Sequence, residues 1–172
     1  IDGIKELIRN LIGFYVIMEG IFFYAGFAMM LALKREGKMV GIGQQFEYIM
    51  RDESIHLAFG CDVILNIINE YPEVWTNDFK EEIYNLIKKA VELECLYVYD
   101  SCVDKVAGIT PSQFCKYTCY IADRRLERLG LEQIYDIENP FPWMSLSIDL
   151  PKEKNFFETK VTEYQNAASL KW

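Results

Sequence analysis

From Leu11 to Leu33 the chain carries one charge, Glu19, and is otherwise apolar on every face, whereas the segments after it place apolar residues on one side only. This first segment is predicted to run helically from about Asp2 to Glu36 and to end at Gly37, where a left-handed residue is easily accommodated. A stretch so long and apolar suits either a transmembrane helix or the central helix of an all-α bundle, enclosed by protein on all sides. A glutamate in mid-span is costly in lipid and needs a functional reason. In a bundle, Glu19 would point inward at a metal.

After a short glycine-rich turn, Lys38 to Gly43, a second helix is expected from about Gln44 to Glu70, stopped by Pro72. A third, capped by Thr76 or Asn77, runs to about Val106 and ends at Gly108. Its Ile83, Leu86, Ile87, Ala90 and Val91 fall at i, i+3, i+4 spacing, with acids and lysines on the outer face. A fourth opens at Thr110-Pro111-Ser112-Gln113, where threonine caps, proline takes the first helical position and glutamine sits at the third. It continues to Leu129 before Gly130. The remainder, around Asn139-Pro140-Phe141-Pro142-Trp143, reads as irregular. A short helix restarts at Asn155, where Glu158 three residues on gives a cap-box pattern. With no strand alternation, internal repeat or low-complexity run, the class is all-α.

At 172 residues the chain is read as a single domain, 1–172, with enough apolar content (51%) for a substantial core. A formal net charge of −8 without a clustered Lys/Arg face argues against nucleic acid or anionic lipid as a main partner. The five cysteines, Cys61, Cys95, Cys102, Cys115 and Cys119, are odd in number and lack Cys-x-x-Cys spacing. They read as buried free thiols in a reducing cytosol. No signal peptide of the usual form is present, and a chain that begins Ile-Asp-Gly looks like a piece of something longer.

The chemistry gathers on the second helix. His56, the only histidine, follows Glu53 by one helical turn, so carboxylate and imidazole leave the same face and can reach one cation. Glu19 is the only charge between Arg9 and Lys34. Di-metal carboxylate bundles of the ferritin-like type use one Glu from each of two helices and one Glu-x-x-His from each of two more. This chain supplies half of that set. Carboxylates with one imidazole suit iron or manganese, whereas zinc would call for thiolates. On the fourth helix, Arg124, Arg125 and Arg128 are expected in surface or inter-helix ion pairs rather than as anion ligands.

Several runs carry a more specific likeness: Met18-Glu19-Gly20-Ile21-Phe22-Phe23, Arg51-Asp52-Glu53-Ser54-Ile55-His56, and Tyr120-Ile121-Ala122-Asp123-Arg124-Arg125-Leu126 followed by Leu129-Gly130-Leu131. Asn139-Pro140-Phe141 and Asn155-Phe156-Phe157-Glu158 then come in the expected order. Together they resemble the C-terminal half of the small, radical-generating subunit of class I ribonucleotide reductase. The family's first ligands and its radical position would precede Ile1, and its docking tail would follow Trp172.

The resemblance implies a ferritin-like bundle of which this chain is the second part, with Glu19 a terminal ligand, Glu53 a bridging ligand and His56 the imidazole of the second metal. The centre would be iron/iron or manganese/iron. Asp52 would link hydrogen-bonded partners along the radical-transfer route. Phe23, Phe27 and Ile49 would form an apolar pocket that keeps water from a strong oxidant. On sequence alone ordinary core packing is the favoured account of these three, and it does not exclude the pocket; Asp52 is otherwise a solvated charge. Tyr48, between Phe46 and the ligands, most resembles the manganese/iron subgroup, in which it would be an electron relay; it could equally be an interface aromatic.

The implied function is that of a cytoplasmic oxidoreductase subunit, a homodimer acting with a large catalytic subunit. Oxygen is activated at the metal centre and the oxidising equivalent produces a cysteinyl radical on that partner, for deoxyribonucleotide synthesis. Two other readings stand beside it: another ferritin-like di-metal oxidase or iron-handling protein, and a non-enzymatic membrane protein in which Leu11 to Leu33 spans lipid. Three ligands leave two metals under-coordinated, so this chain alone is expected to bind metal weakly and to be inactive, unless a second copy completes the set by symmetry.

Overall fold

The computed structural model describes residues 1–148. The expected capped helix at Asn155 with Glu158, and the Asn155-to-Glu158 run, lie outside the described residues. Six α-helices account for most of the described chain: α1 (Asp2–Leu11), α2 (Tyr24–Arg35), α3 (Val40–Glu70), α4 (Asn77–Ser101), α5 (Pro111–Arg128) and α6 (Pro142–Ile148). A π-helical segment, Ile12–Phe22, joins α1 to α2.

The long apolar helix of the sequence is therefore continuous in course but changes its ladder in the middle, and Glu19 lies in the altered part. Arg35 ends it, followed by a Schellman closure: the N–H of Lys38 reaches the carbonyl of Leu33 at 2.9 Å and that of Gly37 reaches Lys34 at 2.9 Å, with Gly37 at φ +71°. α3, α4 and α5 cover part of its apolar surface, but Leu7, Phe14, Met18 and Phe23 stay exposed, so the enclosure on all sides expected of a central helix is only partial among the described residues. This is the one helix among the described residues long and apolar enough to cross a membrane, and 61% of its most apolar window is buried inside the molecule.

α3 starts at Val40, four residues before the expected Gln44. The reason is packing: a Cβ on Gly43 would sit 2.7 Å from the Cβ of Lys34, so this glycine lets α2 and α3 approach instead of making a turn. Farther along, the ring of Tyr15 occupies the place where a Gly60 side chain would be. The third helix, by contrast, is shorter than expected. It stops at Ser101, because Val106 and Ile109 exchange both backbone hydrogen bonds at 3.0 Å across Ala107 and Gly108, each at positive φ. That two-residue turn needs Val106 extended.

The predicted caps are present. Thr76 accepts from the N–H of Phe79, and Thr110 with Gln113 forms a reciprocal capping box at α5. The region read as irregular holds α6, which begins on Pro142 after Asn139 accepts the N–H of Phe141. Phe141 is buried against Phe114 and Tyr117. One core cluster gathers Ile8, Ile12, Ile64, Ile83, Ile87 and Leu126; a second gathers Tyr24, Phe27, Met50, Phe114, Tyr117 and Phe141. The five cysteines are free thiols, with Cys61 and Cys102 buried and the others half-buried. On the two ligand-bearing segments Phe14, Met18, Phe23, Ile42, Ile49 and Phe59 remain exposed.

Candidate metal centre

Glu19 comes from the π-helical segment, and Glu53 with His56 from adjoining turns of α3. The two strands of helix lie close because Tyr15 fits over Gly60 and Leu57 reaches Gly20. As a result the predicted three converge: a donor atom from each lies within 4.8 Å of the other two. Nδ1 of His56 is 3.3 Å from Oε2 of Glu53 and 3.8 Å from Oε2 of Glu19. The carboxylates are shielded, at 14% and 15% side-chain exposure, while the imidazole is 54% exposed.

The electrostatics suit a cation. Burial, then the nearby Glu53 charge, pushes the Glu19 carboxyl above its ordinary value, against the pull of His56. Oε2 of Glu19 is buried and accepts no hydrogen bond from the described residues. A buried acceptor left in this state beside a second carboxylate costs free energy that a bound divalent cation would recover. Two hard oxygens and one imidazole nitrogen are donors that iron and manganese accept. The donor set therefore fits the metal group the sequence led us to expect.

The other predicted residues are placed less closely together. Phe27 is buried, 6.0 Å ring to ring from Phe23 and 5.9 Å from Phe46. Phe23 and Ile49 are 40% and 42% exposed, so no closed apolar pocket surrounds the ligands within the described residues. Asp52 is exposed and lies 3.7 Å from its neighbour Arg51. Tyr48 is half-buried, with the Arg51 guanidinium 5.8 Å from its ring.

The arginines divide. Arg124 makes a surface pair with Glu127 and Arg128 is exposed. Arg125, expected in an ion pair, is buried instead and donates from Nε to the carbonyl of Gly20 at 2.9 Å. Sequence reasoning also passed over Glu94, buried with an unpartnered Oε1, and Asp123, whose carboxylate accepts the N–H groups of Ile134, Tyr135 and Asp136. The signal was available. Arg125 stands between Ile121, Ala122 and Leu126, and Glu94 between Ala90, Val91 and Val98, each on the buried stripe of its helix.

Residues 2–140 match the family described as "Ribonucleotide reductase, small chain". The chain is 57% identical over 171 residues to the ribonucleoside-diphosphate reductase subunit beta of Chlamydia pneumoniae, an alignment that takes in 99% of this chain and 49% of that protein. It is 36% identical to the ribonucleoside-diphosphate reductase small chain of Nicotiana tabacum, over 98% of this chain and 48% of the other. Among solved structures, a putative class I ribonucleotide reductase from Bacillus halodurans superposes with a TM-score of 0.77 at 32% identity, over 81% of this chain and 45% of that one. The ribonucleotide reductase R2 subunit from Clostridium botulinum does so with 0.78 at 30% identity, over 83% and 45%. The chain spans about half the length of the curated relatives it matches.

Proposed function

This chain belongs to the ribonucleotide reductase small-chain family, and from that membership we propose that Glu19, Glu53 and His56 are ligands of its di-metal centre. The fold is all-α and ferritin-like. One observation carries the proposal: the three donor groups converge within 4.8 Å around a buried carboxylate oxygen that no donor among the described residues satisfies.

When bound, the metals activate oxygen and supply the oxidising equivalent that produces a cysteinyl radical on the large subunit, which begins ribonucleoside diphosphate reduction. In this chain Glu53 would be the bridging ligand and Glu19 a terminal one. His56 offers Nδ1, the ring atom turned toward both carboxylates. In the whole subunit the helices that bring the remaining ligands cover the exposed apolar residues of the ligand-bearing segments, and only then do Phe27, Phe23 and Ile49 keep water from the centre. Asp52 holds hydrogen-bonded partners on the route to the large subunit. Tyr48, under Arg51, relays an electron during activation, a role that favours manganese/iron over iron/iron. The working assembly is a cytoplasmic homodimer with the large subunit, and its free thiols suit that reducing compartment.

The test is metal content, by elemental analysis of the complete gene product purified without chelators, for the wild type and Glu53→Ala. Two metals per complete ligand set, lost in the variant, are expected. Equal metal in both would refute the assignment.

A further inference from the structure

The core side of the two ligand-bearing segments carries a second set of contacts. Arg125 of α5 donates from Nε to the carbonyl of Gly20, the residue after Glu19. Its guanidinium carbon lies 4.6 Å from the centre of the Tyr24 ring. The hydroxyl of Tyr24 is 3.1 Å from Oγ of Ser54, the residue after Glu53. Because Oγ of Ser54 donates to the carbonyl of Met50 at 2.7 Å, the Tyr24 hydroxyl is the donor toward Ser54. Tyr24 and Arg125 are both buried. A run of three side chains thus joins the backbone beside one ligand to the side chain beside the other.

The same place is where the π-helical ladder gives way to α2. An i→i+5 ladder would pair the Gly20 carbonyl with the N–H of Ala25. Here the carbonyl receives the Nε–H of Arg125. A charged side chain from a neighbouring helix therefore stands at the break in the ladder, one residue from Glu19. A guanidinium spent on a main-chain carbonyl in the core, with no carboxylate partner among the described residues, is an expensive arrangement unless it fixes something.

We propose that Arg125, Tyr24 and Ser54 form a brace that sets the spacing between Glu19 and the Glu53/His56 pair, making Arg125 a positioning residue for the metal centre. This rests on the metal assignment above. It places the control of ligand geometry on α5, which carries no ligand, and it makes metal affinity depend on contacts on the far side of the ligand helices. Partners of this kind change affinity by about tenfold or more when removed.

The experiment titrates the complete gene product with manganese(II), followed by electron paramagnetic resonance, with thermal unfolding recorded on the metal-free protein. Variants are Arg125→Lys, Tyr24→Phe, Ser54→Ala, the Tyr24→Phe/Ser54→Ala pair, and Glu53→Ala as reference. Arg125→Lys keeps a charge but loses the planar fork over Tyr24, and about tenfold weaker manganese binding is expected. Tyr24→Phe and Ser54→Ala remove two ends of one hydrogen bond, so each weakens binding several-fold and the pair weakens it no further. Folded variants with lowered unfolding temperature and wild-type manganese affinity would overturn the brace and leave the metal assignment standing. Wild-type affinity in Glu53→Ala would overturn the metal assignment, and the brace with it.

Discussion

Glu94 lies 3% exposed between Ala90, Val91 and Val98, and its Oε1 has no partner among the described residues. Burial raises its carboxyl from the ordinary 4.5 to about 7, only partly offset by the backbone hydrogen bond from Ala25. A carboxyl whose pKa is higher in the folded than in the unfolded chain binds more protons when folded, so its contribution to stability falls as pH rises through that interval. It is fully present below the unfolded value and gone above the folded one. At about 1.4 kcal/mol for each tenfold in proton affinity, the difference between 4.5 and about 7 amounts to about 3 kcal/mol. The perturbation is Glu94→Gln, which fixes a neutral group of the same shape. Urea unfolding followed by far-ultraviolet circular dichroism, on metal-free protein between about pH 4 and pH 8, is the assay. The wild type is expected to lose about 3 kcal/mol relative to the variant across that range, while the two nearly coincide at the acid end. Groups common to both proteins, Glu19 included, cancel in the comparison. A constant difference at every pH would refute the reasoning, because it would mean that Glu94 keeps one protonation state throughout.

Asp123→Asn replaces an acceptor-only carboxylate that ties three successive N–H groups, those of Ile134, Tyr135 and Asp136, to α5. The amide turns one donor toward donors, and a loss of about 2 to 4 kcal/mol is expected, read as a lowered unfolding temperature. Gly60→Ala places a methyl group inside the Tyr15 ring. Its expected cost is about 1 to 3 kcal/mol in urea unfolding, and truncating Tyr15 to Ala in the same chain should return part of it by making room. A Gly60→Ala protein as stable as the wild type would show that Tyr15 has an alternative seat.

Much of the fold was legible. Thr76 and Thr110 announced two helix starts because their side chains take up N–H groups that any helix leaves open, a local need with a local answer. Glu19 and the Glu53-x-x-His56 pair were legible because one charge in an apolar helix, and two donors at i, i+3, are conspicuous in sequence. What was not legible depends on contacts between distant segments. Nothing in Ile12–Phe22 marks a π ladder; its end coincides with the carbonyl that Arg125 reaches from 105 residues away. The glycines of Lys38 to Gly43 read as a turn, yet Gly43 is helical because the Lys34 stem lies against it. Likewise Arg125 was read by residue type, as an ion-pair former, when its position on the buried stripe of α5 was the better guide.

The two glycine notches on α3 have a mechanical consequence. The Lys34 stem seats at Gly43, near the start of the helix, and the Tyr15 ring at Gly60, well along it. They act as two dowels in one plank. A slide of α3 by one residue, about 1.5 Å, would drive both studs onto neighbours that have a Cβ, and a rotation would unseat both at once. With sliding and turning blocked, the remaining compliance between Glu19 and the Glu53/His56 pair belongs to side-chain torsions and to the π-helical turn. The helix bodies are the rigid frame, and adjustment to the proposed cation would be confined to the few atoms that meet it.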